Sequence, residues 1–360
     1  LPQYHPIPEN DAWWGAGFTE WTNVVKARPL FPGHYQPHVP AELGYYDLRS
    51  PATREAQATL AREHGIEAFC YYHYWFAGRR LLERPLQEVL AEGRPDFPFC
   101  VCWANQTWSG IWHGAPRRIL LEQRYPGADD HRRHFETLLP AFSDPRYVRV
   151  NGRPLFLIFR PQELPDAART LDLWRELAAR AGLPGLYIIC QHTDPRFNPH
   201  RLGFDASMIV TLGPRGRLGL PGRRLLAMLE RKLGRPLVFG YEAAARNAVS
   251  APVAGIRSYP CVMPNWDNTP RSGVRGIVLD GSTPELFRGV VRAAVERVRR
   301  EPAEERLVFV KSWNEWAEGN HLEPDRKWGR GYLEVLREEL ERQTSVIGAT
   351  PAALPDGGSP

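Results

Sequence analysis

Short apolar runs alternate with amphipathic helical stretches over almost the whole chain, and this alternation restricts the fold more than any other feature. Residues 54–64 have a helical period and stop at Gly65, and residues 66–75 then read as a strand. The pattern repeats with helix 81–91 and strand 97–104, then helix 130–142 and strand 154–160. It continues with helix 167–181, strand 186–191 and a weaker strand at 205–210. A Gly/Arg/Leu-rich helical region runs to Leu233, and residues 236–241 fit either a strand or an insertion. Strand 259–263, helix 284–300, strand 306–312 and helix 330–342 complete it. Strands separated by helices of this length demand a parallel sheet. Counting a clipped first strand at Leu1, there are about eight strands, which predicts a (β/α)8 barrel with its first strand truncated. An open doubly wound sheet would carry a Gly-rich phosphate turn after its first strand, and none is present.

In such a barrel, chemistry sits at the carboxyl ends of the strands. Those ends read Gln3-Tyr4-His5, His73-Tyr74-Trp75, Trp103-Ala104-Asn105, Arg160, Gln191-His192, Asn265-Trp266-Asp267-Asn268 and Trp313-Asn314-Glu315. Nearly every one offers an aromatic, an amide or a charge, as a polar, ring-lined pocket requires. The last is the most telling, because Trp313-Asn-Glu-Trp-Ala-Glu318 places two carboxylates three residues apart. A turn after the strand would bring Glu315 and Glu318 together, and their repulsion would raise one pKa. An acid beside a base is what breaking a glycosidic bond needs.

The other candidates are substrate contacts. They are Tyr4 and His5; Glu20 and Trp21 in Gly17-Phe-Thr-Glu-Trp21; and Tyr72, His73, Tyr74 and Trp75. Trp103, Asn105, Trp108, Arg160, Trp266, Asp267, Trp313 and Asn314 complete the set. Strand alternation puts Tyr72 with Tyr74 on one face and His73 with Trp75 on the other, so at most about half of those rings can touch substrate. Arg160 either pairs with a structural carboxylate or meets the sugar. Asp267 either caps the turn that follows it or takes a sugar hydroxyl. His192 reads as a packed histidine rather than a base.

Aromatics make up 11% of the chain, with 12 Trp. The net charge of +5 is carried almost wholly by Arg interleaved with acids, unlike the basic stripe of a nucleic-acid binder. No apolar run reaches the roughly 18 residues of a membrane span. Five cysteines lie in apolar runs and read as buried free thiols, which predicts a reducing, cytoplasmic setting. Cys100 and Cys102 share a strand face, but no second pair has metal-site spacing, so no metal is expected. Residues 1–347 read as the barrel and 348–360 as a flexible tail or linker, with both ends apparently cut from something longer.

Several motifs together resemble the WbsX-type proteins, glycoside hydrolase family 99-like domains related to endo-α-mannosidases. They are Leu1-Pro-Gln-Tyr-His-Pro-Ile-Pro-Glu-Asn10, Trp14-Gly-Ala-Gly-Phe-Thr-Glu-Trp21, Tyr71-Tyr-His-Tyr-Trp75, Trp266-Asp-Asn-Thr-Pro270 and Trp313-Asn-Glu-Trp-Ala-Glu-Gly-Asn-His-Leu-Glu-Pro324. The resemblance implies a (β/α)8 barrel and a bacterial polysaccharide role, with lipopolysaccharide O-antigen or capsule as settings. It implies that Glu315 is a base, that Glu318 is a general acid/base, and that the substrate's own 2-hydroxyl is the nucleophile, with configuration retained and no cofactor. Where related sequences often carry Asn-Glu-Asn-Trp, this chain has Asn105-Gln106-Thr107-Trp108 and so lacks one charged sugar contact. The expected partner is an oligo- or polysaccharide, in a protein fused to further glycosyltransferase domains. A sugar-nucleotide-dependent glycosyltransferase, with Arg215 to Arg224 as a diphosphate site, is the alternative reading. A silent carbohydrate-binding module is a third, and the intact Glu pair argues against it.

Overall fold

A computed structural model describes residues 4–110, 115–194, 197–210, 228, 232–249 and 255–348. Seven parallel strands form its centre: β1 (Phe69–Phe76), β2 (Phe99–Trp103), β3 (Arg153–Ile158), β4 (Tyr187–His192), β5 (Ala206–Ile209), β6 (Ser258–Val262) and β7 (Phe309–Val310). Each pairs in parallel with the next in chain order. The connecting helices are α1 (Pro51–Glu63), α2 (Arg84–Glu92), α3 (Ala128–Ser143), α4 (Ala167–Arg180), α5 (Pro284–Val298) and α6 (Gly331–Gly348).

The predicted parallel sheet and strand order are present, but closure is not. Among the described residues, β7 and β1 share no strand hydrogen bonds. Side chains bridge that edge instead, with the Phe69 and Trp313 rings 5.2 Å apart. Leu1 to Gln3, read as the end of a first strand, lie outside the described residues, as do Arg215 to Arg224 and residues 349–360. The ambiguous segment 236–241 forms a strand, Leu237–Gly240, outside the main sheet. It belongs to a small separate sheet with Ile277–Asp280 and Trp266–Asp267. The last helix continues to Gly348, beyond the predicted 342.

Buried strand sequence explains the core. Phe156, Ile188, Ile189 and Cys190 are at most 1% exposed, and each large apolar side chain so buried contributes roughly 1.5–3 kcal/mol. Helix boundaries follow local chemistry. Ser50 Oγ accepts the Thr53 amide to start α1, Thr283 accepts that of Leu286 to start α5, and Gly93 takes the left-handed conformation after α2. All five cysteines are free thiols, four of them buried and Cys70 partly so. No helix among the described residues is long and apolar enough to cross a membrane.

Candidate functional site

After β7 the chain makes a tight hairpin. Asn314–Glu315 pairs antiparallel with Asn320–His321, and a 3-10 turn over Trp316–Glu318 joins them. Gly319 closes the turn at φ +51°, where a Cβ would fall 2.9 Å from Asp267 Cβ and its carbonyl oxygen, so glycine alone fits. The hairpin is held from behind. Tyr4 Oη donates to the Asn314 carbonyl at 2.7 Å and accepts the Trp316 amide at 3.0 Å. Trp316 Nε1 donates to Glu323 at 2.7 Å, and its indole stacks on His321 with centroids 3.7 Å apart.

This turn aims both motif acids at one guanidinium. Arg271 Nη2 donates to Glu315 Oε2 at 3.0 Å and Nη1 to Glu318 Oε1 at 2.7 Å. Its Nε donates to Glu20 Oε2 at 2.9 Å. Lys311 Nζ lies 3.6 Å from Glu318 and 4.8 Å from the Trp266 ring centroid. Three carboxylates thus surround two cations. Burial first, and the Glu318 charge second, push the Glu315 carboxyl up against the pull of Arg271. Glu315 and Glu318 open into a recess lined by Tyr72, Tyr74, Ala104, Gln106, Trp108, Phe159, Arg271 and Lys311. Burial, then the Glu315 charge, raises both tyrosine hydroxyls well above their ordinary range, so they stay neutral donors. A pocket with hydroxyl and amide donors, ring faces and two acids can bind a sugar and move protons at its glycosidic oxygen.

The remaining residues singled out in the sequence lie elsewhere. Tyr4 and Trp21 pack behind the hairpin, where Trp21 Nε1 donates to the Tyr46 carbonyl at 2.7 Å. Asn314 Nδ2 donates to Tyr46 Oη at 2.8 Å there. Trp313 packs in the core, and His5 is buried with its pKa lowered, chiefly by desolvation. His73, Trp75 and Trp103 face away from the recess, under α3 and α4. Trp75 stacks on His134 and donates to Asp130 at 3.0 Å, and Trp103 stacks on Trp174. Asn105 spans the β2 and β3 ends, donating to the Arg160 carbonyl at 2.9 Å and accepting its amide at 2.7 Å. The Arg160 guanidinium lies over Phe159, 4.9 Å from the ring centroid, beside the recess.

Asp267 is engaged as a cap and anchor. It accepts the Thr269 amide at 2.9 Å and hydroxyl at 2.6 Å, and His34 Nε2 lies 2.6 Å away. Trp266 takes the Lys311 ammonium on its face. Reading the sequence missed Arg271, Lys311, Phe159 and Ala104 as lining residues. Lys311 was visible as a lone cation entering the Glu motif, whereas nothing local marked Arg271.

The family model described as "Glycosyltransferase WbsX" matches residues 1–336. The WxcX proteins of two Xanthomonas campestris pv. campestris strains are 39% identical over 347 residues, covering 96% of this chain. The chain spans about half (49%) of the length of these curated relatives. Among solved structures, the GH99 endo-alpha-mannosidase from Bacteroides thetaiotaomicron aligns over 97% of each chain, with TM-score 0.58 and 14% identity. A "glycoside hydrolase-like protein" covers 89% of this chain and 99% of its own, with TM-score 0.56 and 16% identity. At these identities the structures speak to the fold, while the sequence match speaks to ancestry: the chain belongs to the glycosyltransferase WbsX family.

Proposed function

We propose that this chain is a carbohydrate-active enzyme of the retaining glycosidase or transglycosidase type, acting on α-linkages of an oligo- or polysaccharide. Family and fold both point to carbohydrate-active chemistry. The observation that carries the finer reading is the convergence of Glu315 and Glu318 on Arg271 in a recess lined by Tyr72, Tyr74, Trp108 and Phe159. Glu318, the more exposed acid, gives a proton to the departing glycosidic oxygen. Glu315, made more basic by burial, takes the proton of the sugar 2-hydroxyl, whose oxygen attacks C1 from the opposite face. Water or an acceptor hydroxyl, deprotonated by Glu318, then opens the 1,2-anhydro sugar, and Glu315 returns its proton to O2. Two inversions leave the configuration unchanged. Back-side attack requires a 2-hydroxyl trans to the leaving oxygen, which selects α-manno-like sugars.

A glycan screen with product mass and NMR would identify the substrate. On it, Glu318→Gln should lose about 100-fold to 10,000-fold in turnover, restored in part by an aryl glycoside whose leaving group needs no proton. A 2-deoxy substrate should be inert. Full turnover in both Glu→Gln variants would refute the assignment.

The family's description favours a second reading, transfer from a sugar nucleotide. Calorimetric titration with nucleoside diphosphate sugars separates the two, since tight binding supports transfer and no heat supports the first reading.

A further inference from the structure

Outside the recess, His38, His321 and Asp325 converge. His38 Nδ1 lies 3.2 Å from His321 Nε2. Asp325 Oδ2 lies 4.0 Å from His38 Nδ1 and 3.8 Å from His321 Nε2. The His321 and Asp325 side chains are 2% exposed and that of His38 is 13%, so the cluster meets solvent at one corner.

The outward atoms of His321 and Asp325 are already engaged, and this fixes what faces inward. His321 Nδ1 lies 3.1 Å from the Glu323 carbonyl. A carbonyl only accepts, so Nδ1 carries the proton and Nε2 presents a lone pair. Asp325 Oδ1 accepts the amides of Lys327 at 2.9 Å and Trp328 at 2.6 Å, while Oδ2 is buried with no hydrogen-bond partner. Two acceptors therefore face each other, and one His38 N–H serves at most one of them well. A single cation between them would satisfy both the carboxylate oxygen and the imidazole lone pair. The Lys327 ammonium sits over the Tyr35 and Trp328 rings instead. A buried carboxylate facing a lone pair without a cation is unfavourable.

We propose that His38, His321 and Asp325 bind a first-row transition-metal dication, with zinc the best match to two imidazoles and a carboxylate. Ligands about 2.0–2.1 Å from a tetrahedral zinc stand roughly 3.3 Å apart. The two nitrogens already meet that spacing, and Asp325 needs a small inward shift. Water from the His38 side fills the fourth position. The carbonyl behind His321 and the amides behind Asp325 orient these ligands as such partners do in metal sites.

The ion's role is to clamp the site. The 38–41 segment meets the chain after the hairpin through Ala41 N to Pro324 O and Arg326 N to Val39 O, both 2.9 Å. The loop that carries His38 also carries His34 and Gln36, which hold Asp267. His321 stacks on Trp316, at the start of the Glu315–Glu318 turn. This role goes beyond the proposed reaction and holds whichever sugar chemistry the recess performs.

The test is titration of the metal-free protein with Co2+ and Zn2+. Four-coordinate Co2+ should give its visible d–d absorption at one equivalent, and Zn2+ should raise the Tm as its free concentration rises. His38→Gln, at the exposed corner, should weaken binding by more than about 100-fold, since loss of even an outer partner of a ligand can approach that. Circular dichroism of this variant checks that it is folded. Absence of cobalt absorption and of a Tm shift in the parent protein, or equal binding by parent and His38→Gln, would overturn the assignment.

Discussion

Tyr71-Tyr-His-Tyr-Trp75 feeds two regions of opposite character. On one face of β1, Tyr72 and Tyr74 line the recess beside Glu315, Glu318 and Arg271. On the other, His73 and Trp75 join His134, Trp103 and Trp174 in a packed cluster beneath α3 and α4. The recess keeps its charges by pairing three carboxylates with Arg271 and Lys311. The imidazoles of the rear cluster stay neutral: burial lowers His73 to about 3 and His134 well below its ordinary value. Neighbouring aromatic residues thus line a polar pocket or pack among neutral imidazoles according to which side of one strand they leave.

The two regions should respond to pH with opposite signs. Unfolded chain takes up a proton on His73 near pH 6.5 that the folded chain refuses until about 3. That histidine alone should therefore remove about 5 kcal/mol of stability as pH falls through this window. Urea unfolding across the range should show the loss, and His73→Phe should make it shallower, leaving the part that His134 contributes. An unchanged slope would mean the cluster is not dry.

The recess supplies the opposite case. Arg271→Met leaves Glu20, Glu315 and Glu318 facing one another and should cost about 3–5 kcal/mol near neutrality. Carboxyls whose folded pKa is raised destabilise above their unfolded value and stop doing so below it, so this penalty should shrink in acid. Adding Glu20→Gln should recover part of it at neutral pH. A penalty independent of pH would point to lost packing rather than lost charge pairing.

The smallest effect sharpens the comparison at the recess rim. Gln106→Glu should change KM by within about tenfold, or about 1.4 kcal/mol, and move stability by under about 0.5 kcal/mol. Steady-state kinetics on the identified glycan beside urea unfolding would read both. A large loss of stability would place Gln106 with the core.

Much of the fold was readable because its signals are local. The run 97–104 became Phe99–Trp103 and residues 167–181 became Ala167–Arg180, since buried-strand hydrophobicity and helical period need no distant partner. The closeness of Glu315 and Glu318 was likewise legible from a spacing of three ahead of a turn. Arg271 was not, because its partner Glu315 lies 44 residues away and a lone Arg after Trp-Asp-Asn-Thr-Pro has no local mark. Tyr4, Trp21 and Trp313 looked like sugar contacts because an aromatic beside a polar residue reads the same whether it lines a pocket or braces one from behind.

Composition and periodicity by themselves determined a parallel αβ chain with a carboxylate pair ending its last strand, since side-chain direction and hydrophobic period are properties of neighbouring residues. Tertiary structure alone decided which face of β1 opens to the recess, that one arginine gathers three acids, and that His38 meets His321 and Asp325. Those outcomes depend on how helices cover the sheet and on charges brought together from far apart, and burial sets their energies only once the surrounding chain is in place.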